Sequence, residues 1–291
     1  MTDSAPLLNY RRFKNDVFRE PINKKTVKEI PVLLYQHIGD YPEEMMEDGL
    51  LLRSFERQMG FLSENGYNVV SLNRALDHLA GRIKLPPKSI AITIDGGYKD
   101  AFSNVLPVLK RHNFHATFFI LPEYIGKERT IKGNPIKCLN WGEVDEIFSS
   151  GMEIGLLAYG GKGIRNHYNE QAIKEDVFAS MKLLNSNLTS EIKYCAFKVG
   201  VADTALWNFL QGLGFHAVFT QCPTYQRRTL AGIGRIQVDD DDHNIFLTKI
   251  SNIYLFFKDK RSWKYIRKYR IDRLAHRISE TWNRIKGEAY P

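Results

Sequence analysis

The chain has 291 residues, 43% hydrophobic and 25% charged, with a formal net charge of +8. That length and composition suit a folded protein with a sizeable core and exclude wholesale disorder. The three cysteines, Cys138, Cys195 and Cys222, form no CxxC pair. An odd count with no such spacing argues against a disulfide scaffold and a cysteine-type zinc site, and it fits a reducing compartment.

In chain order, the segment up to Glu29 is polar and charged and shows no apolar stretch of the secretion-signal kind. Short apolar runs rich in β-formers follow at Val32–Tyr35, Asn68–Leu72, Ser89–Ile94, His115–Leu121, Glu153–Ala158, Ile192–Phe197 and His216–Thr220. Between them, helical spacing predicts helices over Leu52–Glu64, Leu72–Gly81, Ala101–Asn113, Trp141–Ser149, Gln171–Leu184 and Ala205–Gly212. Asn65-Gly66, Asn113 and Gly214 stand where a left-handed residue would close the preceding helix. Regular strand–helix alternation implies parallel strands with helical crossovers. Strands apolar on both faces imply a sheet covered by helices. Either an open doubly wound sheet or a barrel satisfies this pattern, and in both the chemistry gathers at the C-terminal strand ends.

The charge is concentrated in the tail. From Tyr254 to Pro291 there are eleven Lys or Arg against four acids, which accounts for nearly all of the +8 excess. Ile271, Leu274, Ala275, Ile278, Trp282 and Ile285 fall on one helical stripe with arginines around it. A basic amphipathic helix with interfacial aromatics predicts either an anchor on anionic lipid or a helix packed on the barrel or on a second subunit. No run of about 18 apolar residues suggests a membrane span. The tail shows no nucleic-acid-binding motif beyond its charge, so no nucleic-acid partner is expected.

The strand end Thr93-Ile94-Asp95-Gly96-Gly97-Tyr98, the helix through Leu109, and the next strand His115-Ala116-Thr117-Phe118-Phe119-Ile120 carry a specific pattern. They resemble the first signature of the polysaccharide deacetylase (NodB-homology, carbohydrate esterase) family, in which T-F-D-D-G-Y is followed by a helix and A-T-F-F. Pro31-Val32-Leu33-Leu34-Tyr35-Gln36-His37-Ile38 is similar to that family's opening strand. Gly151-Met152-Glu153-Ile154-Gly155 is similar to the approach to its second signature, and Gly214 to Thr220 with Arg235-Ile236 to its late strands. The resemblance covers Pro31 to Val238. It implies an α/β fold, a distorted (β/α)7-type barrel of parallel strands, here with a C-terminal basic amphipathic helical extension. The expected organisation is an N-terminal extension over 1–30, the barrel over 31–250 and the helical tail over 251–291.

The resemblance also implies a chemistry. In the family, the first Asp of the pair is a general base, and the second Asp with two His holds a divalent metal that activates water. Here the base position is Asp95, but the three ligand positions fall on Gly96, Leu157 and Gly161. None of these side chains can ligate, so the expectation is no zinc or other cofactor and at most a vestigial or residual base at Asp95. The bland alternative for Asp95 is an inherited carboxylate bonded to the Gly97 or Tyr98 backbone. The third signature is reduced to Ala196-Phe197-Lys198-Val199-Gly200.

Tyr159-Gly160-Gly161-Lys162-Gly163 predicts a glycine-rich anion cradle or, more blandly, a loop with a solvated lysine. Gln36, His37, Tyr98, Tyr159, Lys162, Lys198 and Arg235 are the candidate ligand-binding set. The run Asp239 to Asp242 before His243 reads as a solvated acidic loop rather than a metal site.

The leading expectation is a catalytically inactive relative that binds a carbohydrate, sugar-phosphate or lipid-linked glycan, or scaffolds polysaccharide assembly. It would be cytoplasmic, at most peripheral at the inner face of the membrane, and a homo-oligomer is compatible. Two alternatives stay open. One is an amide hydrolase on an N-acylated sugar, using Asp95 with non-standard ligands or metal-free chemistry. The other is a structural subunit with a vestigial pocket.

Overall fold

The computed structural model describes residues 30–41, 49–158, 170–189, 191–197, 204–221, 230–239 and 242–250. The elements fall in one compact unit, Ile30–Lys249. The predicted tail, most of the N-terminal extension, Tyr159, Gly161, Lys162 and Lys198 lie outside the described residues.

Each of the seven apolar runs carries a strand, and six further short strands occur among the described residues. The strands are β1 Val32–Tyr35, β2 His37–Ile38, β3 Gly49–Leu50, β4 Asn68–Val69, β5 Ser89–Asp95, β6 Thr117–Ile120, β7 Glu128–Ile131, β8 Asn134–Lys137, β9 Glu153–Ala158, β10 Tyr194–Phe197, β11 Ala217–Thr220, β12 Ala231–Gly234 and β13 Ile236–Gln237. The α-helices are α1 Leu52–Glu64, α2 Leu72–Leu79, α3 Leu106–Arg111, α4 Trp141–Ser149, α5 Glu170–Asn187, α6 Thr204–Gly212 and α7 His243–Ile250. A wider π-helical turn, Ala101–Val105, precedes α3 and shares the stretch read as one helix from the sequence.

The large sheet runs β12, β11, β10, β9, β6, β5, β1, β13, with every neighbour parallel. β12 and β13 are consecutive in the chain, separated only by Arg235. This broken stave therefore pairs with β11 by its first half and with β1 by its second, which joins the two edges. Among the described residues the result is a ring of seven staves (β1, β5, β6, β9, β10, β11 and the broken β12/β13) with helices outside, the distorted (β/α) barrel expected from the sequence. Closure leaves no long exposed strand edge in the ring.

Alternation along each strand decides which residues fill the interior. Val32, Ala91, Phe119, Leu157, Ala196, Ala217, Phe219 and Ile233 form one packed cluster. Large and small residues interlock there. A Cβ added to Gly155 would lie 2.6 Å from the Phe119 ring, so the glycine is the hollow that receives the phenyl group. At the N-terminal end the Thr117 hydroxyl donates to Glu153 at 2.6 Å, and the Leu72 amide approaches the same carboxylate at 3.4 Å.

Local signals also hold. Ser71 caps α2 through its side chain, and Asn140 with Glu143 forms a reciprocal capping box at α4. Asn113 and Gly214 take positive φ after their helices, and at Asn65-Gly66 it is the glycine that does so.

Candidate functional site

The C-terminal mouth of the barrel gathers the residues that follow β1 and β5. Asp95, the last residue of β5, is 1% exposed. Its partner is Arg235, at the break between β12 and β13 and itself 0% exposed. The guanidinium donates from Nη1 to Oδ1 at 2.6 Å and from Nη2 to Oδ2 at 2.7 Å, a two-pronged ion pair. Nη1 also donates to Thr93 Oγ1 at 3.2 Å, and Nε to the Thr220 carbonyl at 3.4 Å. The Thr93 hydroxyl in turn donates to the Leu33 carbonyl at 2.7 Å. The guanidinium carbon lies 5.0 Å from the centroid of Phe119. The Asp95 carboxylate is thus held by an arginine side chain, where the sequence had suggested the Gly97 or Tyr98 backbone. Arg235, placed from the sequence among the ligand contacts, is at the core of the barrel with its charge neutralised by Asp95.

Gly96, next along the chain, occupies the position where the family has a ligating aspartate. Its φ is +113°, and a Cβ built there would lie 2.0 Å from Cε2 of Tyr98. Tyr98 therefore fills the space a side chain at 96 would need. Tyr98 is fixed in turn: Arg129 donates to its hydroxyl at 2.9 Å, and the His37 ring lies over it with centroids 4.0 Å apart. The β7–β8 hairpin supplies Arg129 and brings Cys138 into a bridge with Tyr98. Its two loop residues, Lys132 and Gly133, both have positive φ, the geometry a tight two-residue hairpin requires. Sequence reasoning missed this hairpin; Lys132-Gly133 between short β-prone runs was its signal.

Leu157 is 2% exposed and belongs to the apolar interior. Of the three metal-ligand positions, 96 and 157 thus carry no donor, the Tyr98 ring takes the space a side chain at 96 would need, and 161 lies outside the described residues. The residues at 96 and 157 do not fit the family's divalent metal. Among the described residues no group of three His, Cys, Asp or Glu gathers in a metal-binding arrangement. Asp239 accepts from Lys249 at 2.9 Å, and the His243 ring packs on Phe61 and Phe246.

Gln36 and His37, both buried, close the β1 side of the mouth. Among the described residues no acceptor meets Nε2 of Gln36. Beyond this centre, Asp100 at the start of the π-helical turn is also buried, and burial pushes its carboxyl up to about 6 against the opposing hydrogen bonds from the Ile38 amide and the Tyr41 hydroxyl.

A seven-stave parallel ring, with an aspartate at the end of the β5 stave and a glycine-rich turn behind it, defines a distorted (β/α) barrel. Residues 82–218 match the polysaccharide deacetylase family model. The chain is 29% identical over 108 residues to YxkH of Bacillus subtilis, a protein named for polysaccharide deacetylase, a match that spans 37% of each chain. It is 20% identical over 226 residues to a poly-β-1,6-N-acetyl-D-glucosamine N-deacetylase of Staphylococcus epidermidis, covering 75% of this chain and 72% of that one. The solved structure of IcaB from Ammonifex degensii superposes with a TM-score of 0.62 at 25% identity, over 72% of this chain and 91% of IcaB.

Proposed function

We propose that this protein is a catalytically inactive polysaccharide deacetylase relative that keeps the barrel for recognising a carbohydrate. The observation that carries this reading is the state of positions 95 and 96. The carboxylate in the base position is held by both prongs of Arg235, and the ligand position is a glycine whose missing side chain is replaced by the Tyr98 ring. A general base must reach a water or hydroxyl proton within about 2.6–3.2 Å. An aspartate with both oxygens bonded to a buried guanidinium is poorly placed for that. Recognition is supported by the Gln36 amide, a buried donor at the mouth with no acceptor among the described residues. Such a donor costs about 1–3 kcal/mol unless something supplies the missing bond.

The named activity of the staphylococcal relatives makes an N-acylated aminosugar polymer the first ligand to try. Lys162 and Lys198 extend the reading to sugar-phosphate or lipid-linked glycans, and the basic tail to a peripheral position on anionic membrane. A scaffold in polysaccharide assembly is the form this takes if the mouth binds only weakly. Among the described residues no helix is long and apolar enough to cross a membrane.

The test combines elemental analysis of untagged protein, calorimetric zinc titration, and acetate release from N-acetylglucosamine oligomers. The expected result is no stoichiometric metal, no zinc binding in the micromolar range and no acetate, with retained binding of the oligomer. Bound metal or acetate release restores hydrolysis as the function. Absence of glycan binding together with absence of vesicle sedimentation removes the recognition reading.

A further inference from the structure

Two residues beyond the first signature stands a second aspartate, Asp100, outside the barrel interior. Asp100 borders a cleft of about 320 Å³ on the rim, between the segment after β2, the π-helical turn and the end of β8. None of its lining residues belongs to the group around Asp95. The volume is at the lower end of the range for small-molecule sites, about 300–1,000 Å³.

Asp100 is 4% exposed. Its Oδ2 accepts two bonds, from the Ile38 amide and the Tyr41 hydroxyl, each at 2.8 Å. Its Oδ1 is equally buried, and among the described residues no donor reaches it. A buried carboxylate oxygen left open in this way is costly, and more so than a neutral group. The fold therefore holds an oriented acceptor at the cleft and leaves half of it unmatched.

The other lining groups narrow the class of ligand. Lys99 is paired with Glu143, which removes its charge from the balance. The charges that remain are Asp40, Asp100 and Lys137, with Lys137 exposed at the edge. That balance does not gather a phosphate. A divalent cation is no better served, since it needs several oxygen ligands and no cluster of three candidate ligands exists among the described residues. What suits an open carboxylate oxygen with a lysine, the Ser103 hydroxyl and the Tyr41 ring around it is a small neutral or weakly cationic molecule rich in O–H and N–H donors. The π-helical turn brings Ser103 and Asn104 to the cleft, and Asn104 is locked to the Ile38 carbonyl at 2.7 Å, so this wall is pre-formed. Turns of this kind recur at functional sites.

We propose that the cleft beside Asp100 is a second, independent sugar-binding site, in which the open Asp100 oxygen accepts from the hydroxyl or amino group of one sugar residue and Lys137 donates to a ring or hydroxyl oxygen. It does not depend on the loss of hydrolysis at the barrel mouth.

The experiment is an amide NMR titration of the full chain with N-acetylglucosamine and, separately, glucosamine. The two sugars share hydroxyls, and only the second adds an ammonium. Saturable shifts are expected at Tyr41, Lys99 to Asn104 and Lys137. Asp100→Asn weakens binding by about tenfold or more, and Lys137→Ala by about threefold to tenfold, as loss of a charged and of an ordinary hydrogen bond would. Should Asp100→Asn fail to fold, Lys137→Ala and Ser103→Ala, both at exposed positions, carry the test. Tighter binding of glucosamine assigns the donor at Asp100 to the amine, and equal binding assigns it to a hydroxyl. Shifts confined to Gln36 and His37 place the sugar at the mouth and overturn the cleft while leaving the proposed function standing. No saturable shift with either sugar overturns the cleft outright.

Discussion

Asp95 and Asp100 leave the same strand–turn–helix segment and are almost equally buried, yet their surroundings give them opposite characters. Asp95 faces a guanidinium that takes both of its oxygens, over a phenyl ring and inside a closed ring of staves. Asp100 faces neutral donors, backbone amides and a phenol, and among the described residues its Oδ1 meets no hydrogen-bond partner at the wall of a cleft. Burial alone does not say what a carboxylate does. The partner decides, and here the residue in the family's base position has become part of the closure of the barrel, while its neighbour five residues on has the more open chemistry.

The sharpest way to break the comparison is to remove the arginine. Arg235→Met leaves Asp95 as an unpaired buried charge and is expected to cost about 3–5 kcal/mol in urea unfolding. The double variant Asp95→Leu with Arg235→Met removes both charges and should recover most of that loss. If the double variant is no better than the single one, the pair does not act as a unit and the barrel is closed by the β12/β13 backbone pairing alone.

Asp100 is expected to show itself in the pH dependence of stability. Its carboxyl is raised from 3.8 to about 6, first by desolvation, with the Ile38 amide, the Tyr41 hydroxyl and the Ala101 amide opposing. An acid whose folded pKa lies above the unfolded value binds more protons in the folded state over that interval. Stability is therefore fully present below about pH 4 and falls as the pH rises towards 6, and nothing further is lost above that. A shift of this size corresponds to about 3 kcal/mol, of which Asp100→Asn should abolish the pH-dependent part. Burial pushes the Tyr41 phenol and the Cys138 thiol beside it upward, so neither changes charge in that window. A pH slope unchanged in the variant would show that Asp100 is solvated in the native state and would remove the contrast with Asp95.

A smaller effect is expected at Gly96. Gly96→Ala forces a side chain to φ +113° and against Tyr98, for a cost of about 1–3 kcal/mol, read as a lowered denaturation midpoint. Gly96→Asp should likewise destabilise and should not create zinc affinity on its own, since Tyr98 keeps the space. Zinc binding by Gly96→Asp would mean that Tyr98 moves aside readily and that the metal site is only one substitution away.

Much of this was legible in the sequence, for physical reasons. β1, β9, α1 and α4 have the bounds their apolar patterns predict, because buried parallel strands and amphipathic helices announce themselves by period. The three missing ligands could be seen as residue types. What filled their places could not: that Tyr98 stands where a side chain at 96 would be, and that Arg235 turns inward onto Asp95, depend on contacts across 140 residues and on a stave that changes partner. Arg235-Ile236 was legible as a short strand, but β12 before it, with two glycines in four residues, has no strand pattern of its own. Asp100 went unremarked because a lone aspartate after a glycine turn looks like an ordinary helix start.

The smallest effect tests whether the two regions are independent. Gly155→Ala would place a methyl group 2.6 Å from the Phe119 ring and 3.2 Å from the Tyr194 carbonyl. Phe119 must shift, and it is the ring beneath the Arg235 guanidinium. Overpacking of this sort costs about 1–3 kcal/mol, and the expected result is a lower denaturation midpoint with the Asp95–Arg235 region perturbed. The Asp100 cleft shares no lining residue with this contact, so sugar affinity there should stay within twofold of the parent. If Gly155→Ala weakens the cleft as much as it weakens the fold, the interior and the rim respond as one body. The division of labour between the two aspartates would then be a property of the whole barrel and not of two separate sites.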